Sequence, residues 1–73
     1  MNAEAIREML NRRPFGPFEV LMSSGERHLV KHPEFLMLMP SRAVIGDPVT
    51  DRLAILSLIQ IAELRPVQPQ LST

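Results

Sequence analysis

Apolar side chains recur with two different periods along this chain, and the change between them divides it. In the first twelve residues Ile6, Met9 and Leu10 return at the spacing of one helical face, while Glu4, Arg7, Glu8, Asn11 and Arg12 take the other. Asn2 stands where a helix cap belongs, Glu4 falls in the first turn, and Glu8 precedes Arg12 by four residues in the favourable ion-pair order. The pattern predicts a short amphipathic helix that stops before Pro14, with Pro14, Gly16 and Pro17 as a rigid connector. From Phe18 the period falls to two: Phe18, Val20 and Met22 alternate with Glu19, Leu21 and Ser23, as in a half-buried strand.

Ser23, Ser24 and Gly25 then offer a three-residue hairpin loop in which Gly25 takes the left-handed conformation. That loop sets Phe18 opposite Val30 and Val20 opposite His28. Phe18, Val20, Met22, His28, Val30 and His32 therefore share one face, and Glu19, Leu21, Arg27, Leu29 and Lys31 share the other. A two-residue loop would slip the pairing by one and set Phe18 against Lys31, placing a charge on the core side. Pro33 interrupts the second strand, residues 35–39 resume as a short apolar strand, and Pro40, Ser41 and Arg42 form a turn. Residues 43–45 return, and the polar stretch 46–52 reads as an exposed loop. Residues 53–57 are apolar at both alternating positions, so this strand is expected at the centre of a sheet, covered on both faces. A tight turn and a last short strand occupy 58–65. The expectation is a mainly β domain with one N-terminal helix and a small curved antiparallel sheet of five or six short strands over residues 1–66. Residues 67–73 are expected as a mobile tail.

Composition narrows the chemistry. The chain has 73 residues, enough for one core and no more, and a domain of this size buries only about 60% of its unfolded surface. It has no cysteine, which removes disulfides and thiolate metal sites and favours a cytoplasmic setting. No apolar run exceeds the five residues from 35 to 39, so no membrane span is expected. Eight basic residues balance eight acidic ones, so the electrostatic excess behind non-specific nucleic-acid binding is missing. With three Phe, no Trp, no Tyr and five Met, the core must be largely aliphatic.

The order of helix, Gly-tipped hairpin, two short strands, one-turn bridge and final strand resembles Sm-like and SH3-like small β-barrels. FEVLMSSGERHLV is similar to the first hairpin of an Sm-like protein and LAILSLIQIAELRP to its last two strands. R-P-F-G-P-F at 13–18, Ser24 with Gly25, and V-K-H-P-E at 30–34 resemble a group of short uncharacterised bacterial proteins that carries no known activity. The Sm-like resemblance implies a barrel, rings joined edge to edge, and single-stranded RNA held in loop pockets. Sm-like pockets combine polar and aromatic loop residues with basic ones, whereas the matching loops here hold His32, Pro33, Glu34 and Gln60. RNA binding therefore stands as the alternative function, through Arg12, Arg13, His32 and Arg42.

Catalytic constellations are sparse. His28 and His32 would share a metal on a helix, but on a strand their backbones lie roughly 13 Å apart. Asp47 and Asp51 flank a loop without the dense oxygen spacing of a calcium site. Ser23, Ser24, Ser41 and Ser57 lack a nucleophile-elbow context, and the three Gly are too scattered to cradle a phosphate. No enzyme activity, metal or cofactor is expected. An enzymatic site would need His28, His32 and Glu34 to converge in one pocket. Leu21 and Leu29, pointing outward among Arg27 and Lys31, mark either where the helix packs or where a partner docks. The function expected is a small non-catalytic binding or assembly module acting through protein–protein contacts, with self-association allowed.

Overall fold

The computed structural model describes residues 2–67. Asn2 caps the helix α1 (Ala3–Leu10), its side-chain oxygen accepting the Ala5 N–H at 3.2 Å. The helix is eight residues long and ends before Arg12, so the Glu8–Arg12 pair does not form; Arg7 instead pairs with Glu4 one turn back. Ile6 and Met9 are its buried residues.

Among the described residues six strands follow: β1 (Phe18–Met22), β2 (Arg27–Val30), β3 (Leu36–Leu38), β4 (Arg42–Asp47), β5 (Arg52–Ser57) and β6 (Ile61–Pro66). They form two three-stranded antiparallel sheets, ordered β2-β1-β6 and β3-β4-β5. The hairpin register is the one expected, with Phe18 opposite Val30 and Val20 opposite His28. Met22 donates to the Glu26 carbonyl at 2.8 Å, the Gly25 N–H donates to the Met22 carbonyl at 2.9 Å, and Gly25 sits at φ +97°. The tip is also pinned at a distance, because both the N–H and the hydroxyl of Ser23 donate to the Gln60 carbonyl.

Among the described residues no ladder joins the sheets, so the expected barrel does not close. The cause is local. Single 3₁₀ turns at Pro33–Phe35 and Leu58–Gln60 break the chain between β2 and β3 and between β5 and β6, leaving strands of three to six residues, each confined to one sheet. The strands around the polar loop also run further than expected, to Asp47 and from Arg52, which shortens the loop to residues 48–51.

The core lies between the inner sheet faces and the helix. Phe18, Ile6, Val20 and Val30 are fully enclosed, and Met22, Leu36, Ala43, Ile45, Leu56, Leu58 and Ile61 complete the same cluster. Phe15 meets Phe18 edge to face at 6.1 Å. Because Ile6 and Met9 enter this core beside Phe18 and Val20, the helix packs on the opposite side of the first sheet from Leu21 and Leu29. Val67 donates to the Pro17 carbonyl at 2.9 Å and so is tied to the sheet; the rest of the expected tail lies outside the described residues.

Candidate functional site: an apolar sheet face and a basic cleft

The outer face of the first sheet is built mostly from charge. Glu19, Leu21, Arg27, Leu29, Glu63 and Arg65 share it by register. Arg65 and Glu63 pair at 3.0 Å, which holds the Glu63 carboxyl below its ordinary value and the Arg65 guanidinium above. Leu21 is half-buried, with Arg27 and Glu63 as its cross-strand neighbours on this face, while Leu29 at the sheet edge is 44% exposed.

The outer face of the second sheet is different in kind. Register pairs Met37 with Val44 and Val44 with Ile55, forming one apolar row across all three strands. Leu53 lies on the same face, opposite Gly46. Met37, Leu53 and Ile55 are 64%, 65% and 65% exposed. The expected central position of residues 53–57 is thus corrected, since β5 is an edge strand with Leu56 toward the core and Leu53 and Ile55 toward solvent. Glu34, Asp47, Asp51 and Arg52 rim a shallow depression beside Met37, Val44 and Leu53. Val49 and Ile59, each 85% exposed, lie outside this row, at a loop tip and a turn.

A cleft of about 530 Å³ opens between β2 and β5. Arg27, Lys31 and Arg52 line it as cations, with Asp47 as the acidic residue; Leu29, Phe35, Ile45 and Ala54 supply apolar wall. Among the described residues none of the three cations makes an ion pair. His28 also lines the cleft. Its Nε2 is buried without a hydrogen-bond partner, 3.9 Å from Glu26 Oε1.

Both strands turn an unpaired edge to this cleft. Hydrogen-bonded pairs alternate along an antiparallel ladder. The Met22–Glu26 bond therefore places Val20–His28 and Phe18–Val30 in the bonded set and turns the main-chain groups of Arg27 and Leu29 away from β1. In the same way Leu58 donates to the Ser41 carbonyl at 3.0 Å, so the main-chain groups of Leu53 and Ile55 turn away from β4.

Three of the four residues expected to meet a partner, Arg27, Leu29 and Lys31, thus come together in the cleft, and Leu21 does not. Of the residues of the RNA alternative, Arg12, Arg13, His32 and Arg42 line neither depression. Arg13 donates to the carbonyls of Leu10 and Arg12, and His32 stacks edge to face on Phe35 at 4.9 Å. His28 and Glu34 fall in different depressions and His32 in neither, so the three do not converge. Arg52, Met37, Leu53 and Ile55 were not singled out by the sequence. The signal was the two-sided apolarity of residues 53–57, which fits an exposed face as well as a covered one. Among the described residues no helix is long and apolar enough to cross a membrane. Comparison with models of known protein families, with curated proteins and with solved structures finds no match to this chain.

Proposed function

We propose that this chain is a non-catalytic assembly module acting through protein–protein contacts, with a second copy of itself as partner on the outer face of the second sheet. The observation that supports this is the Met37–Val44–Ile55 row with Leu53 beside it, a contiguous apolar face left open to solvent. The rim favours self-pairing over an unrelated partner. It carries both signs, Arg42 and Arg52 with Glu34, Asp47 and Asp51, the mixed charge that a self-complementary two-fold contact requires.

The expected strength follows from exposure. Fully burying an aliphatic side chain is worth about 1.5–3 kcal/mol, and Met37, Leu53 and Ile55 are each about two-thirds exposed, which leaves about 1–2 kcal/mol per residue. Six such residues in a dimer supply about 6–12 kcal/mol before an association cost of about 4–15 kcal/mol. The dimer is therefore weak and concentration-dependent. Met37→Glu removes its contribution twice, about 2–4 kcal/mol, which weakens association by about 30- to 700-fold. Sedimentation equilibrium over a concentration series reads this directly: wild type climbs toward twice its monomer mass while Met37→Glu, with an unchanged circular dichroism spectrum, stays monomeric. A wild type that remains monomeric at millimolar concentration, or a variant that associates equally well, refutes the proposal.

A further inference from the structure

The structure assigns a second binding site, which borders the self-association face through Arg52 and Leu53 but does not include Met37: we infer that the cleft between β2 and β5 takes up an extended, acidic segment of a partner protein by strand addition. Residues of both side-chain parities line it, Arg27, His28 and Leu29 from β2 and Arg52, Leu53 and Ala54 from β5. Side chains of one strand alternate between faces, so a cavity that meets consecutive residues faces the strand's edge. On that edge the main-chain donors and acceptors of Arg27 and Leu29, and of Leu53 and Ile55, have no strand partner among the described residues. An exposed edge of this kind is completed by another strand, whose main chain supplies the affinity and whose alternate side chains meet the pockets on either side.

Charge selects what that strand carries. Arg27, Lys31 and Arg52 stand around the cleft without an ion pair among the described residues, against Asp47 as the acidic lining residue, in a chain whose total charge is zero. Acidic side chains spaced two apart along a segment would point to one side of the added strand, the side on which β2 presents Arg27. Ile45 and Ala54, on the core side of the second sheet, meet the aliphatic residues in the alternate positions. Nucleic acid fits less well: the chain has no Trp or Tyr, and the Phe35 ring at the cleft is already engaged by His32.

The test uses a fluorescein-labelled peptide of alternating Glu and Val, read by fluorescence anisotropy against the full chain, with three controls. These are a Lys/Val peptide, a Glu/Val peptide N-methylated on alternate amides along the edge-facing side, and a single-stranded oligonucleotide. The Glu/Val peptide is expected to bind and to weaken with added salt, and the Lys/Val peptide and the oligonucleotide to bind at least tenfold more weakly. N-methylation, which leaves charge and side chains intact but removes ladder donors, is expected to abolish binding. Arg27→Glu with Arg52→Glu weakens the Glu/Val peptide by about tenfold or more. Amide chemical-shift changes should centre on Arg27–Leu29 and Leu53–Ile55. The Met37→Glu variant, monomeric by the first proposal, should bind the peptide as wild type does, which separates the fate of the two sites. Undiminished binding of the N-methylated peptide overturns strand addition, since adhesion by charge alone would then suffice. Preference for the Lys/Val peptide or the oligonucleotide, or no binding at millimolar peptide, overturns the ligand class.

Discussion

Replacing glycine by alanine adds the same methyl group at residues 16, 25 and 46, and in each case the new carbon meets nothing within 4 Å. Steric overlap with neighbours therefore cannot rank the three variants, and only the backbone can. Gly25 sits at φ +97°, where an L residue is disfavoured by about 1–2 kcal/mol, partly offset by the reduced freedom of the unfolded chain. Gly46 lies within β4 without a positive φ, and Gly inside a strand is about 0.5–1 kcal/mol worse than Ala. Gly25→Ala is thus expected to lose about 1 kcal/mol and Gly46→Ala to gain about 0.5–1 kcal/mol, with Gly16→Ala close to neutral. For a domain of this length 1 kcal/mol moves Tm by about 4–8 °C, so the two strand-region variants should bracket wild type. Urea titrations followed by circular dichroism, with unchanged slope, separate stability from altered compactness. A Gly25→Ala protein as stable as wild type would show that the loop does not need its left-handed residue, and the register built on it would lose its cause.

Other outcomes follow from burial and charge. Phe18→Ala empties a fully enclosed site and should cost about 3–5 kcal/mol, a large share of the about 4–11 kcal/mol expected for 73 residues, whereas Ile59→Ser at an exposed turn should stay within about 0.5 kcal/mol; urea midpoints compare them. Because the Arg65 hydrogen bond lowers the folded pKa of Glu63, its stabilisation is whole above the ordinary value of 4.5 and fades as pH falls through the lower folded value. Glu63→Gln should remove that component from a plot of Tm against pH. The difference should be small at this exposed pair and should shrink in high salt.

The hairpin, the turn before β6 and the buried Phe18, Val20, Met22 and Val30 were legible because each is set by neighbours in sequence: a period of two, a loop of fixed length and a glycine. The helix was legible to within two residues for the same reason. What escaped was long-range. An apolar strand such as β5 has the same local pattern whether a sheet, a helix or water lies on its second side, and only the order β3-β4-β5 puts it at an edge. Closure of a barrel depended on whether β2 and β5 run on past their 3₁₀ turns, and proline at residue 33 marks only one of those breaks. The cleft was half visible. Arg27, Leu29 and Lys31 come from one hairpin arm, but Arg52 joins them only through tertiary folding.

The strand order also sets a timetable for a chain leaving the ribosome. The second sheet is a meander of neighbours, complete once residue 57 has emerged, while the first needs its opening strand to wait for residues 61–66 before β6 can flank β1. A nascent chain can thus complete the local sheet first and close the non-local one last, when the contact between Ser23 and Gln60 is made. Until then the core cluster that holds Ala43, Ile45 and Leu56 lacks Ile61. The interval before residues 61–66 emerge is when this fold is most exposed to misassembly.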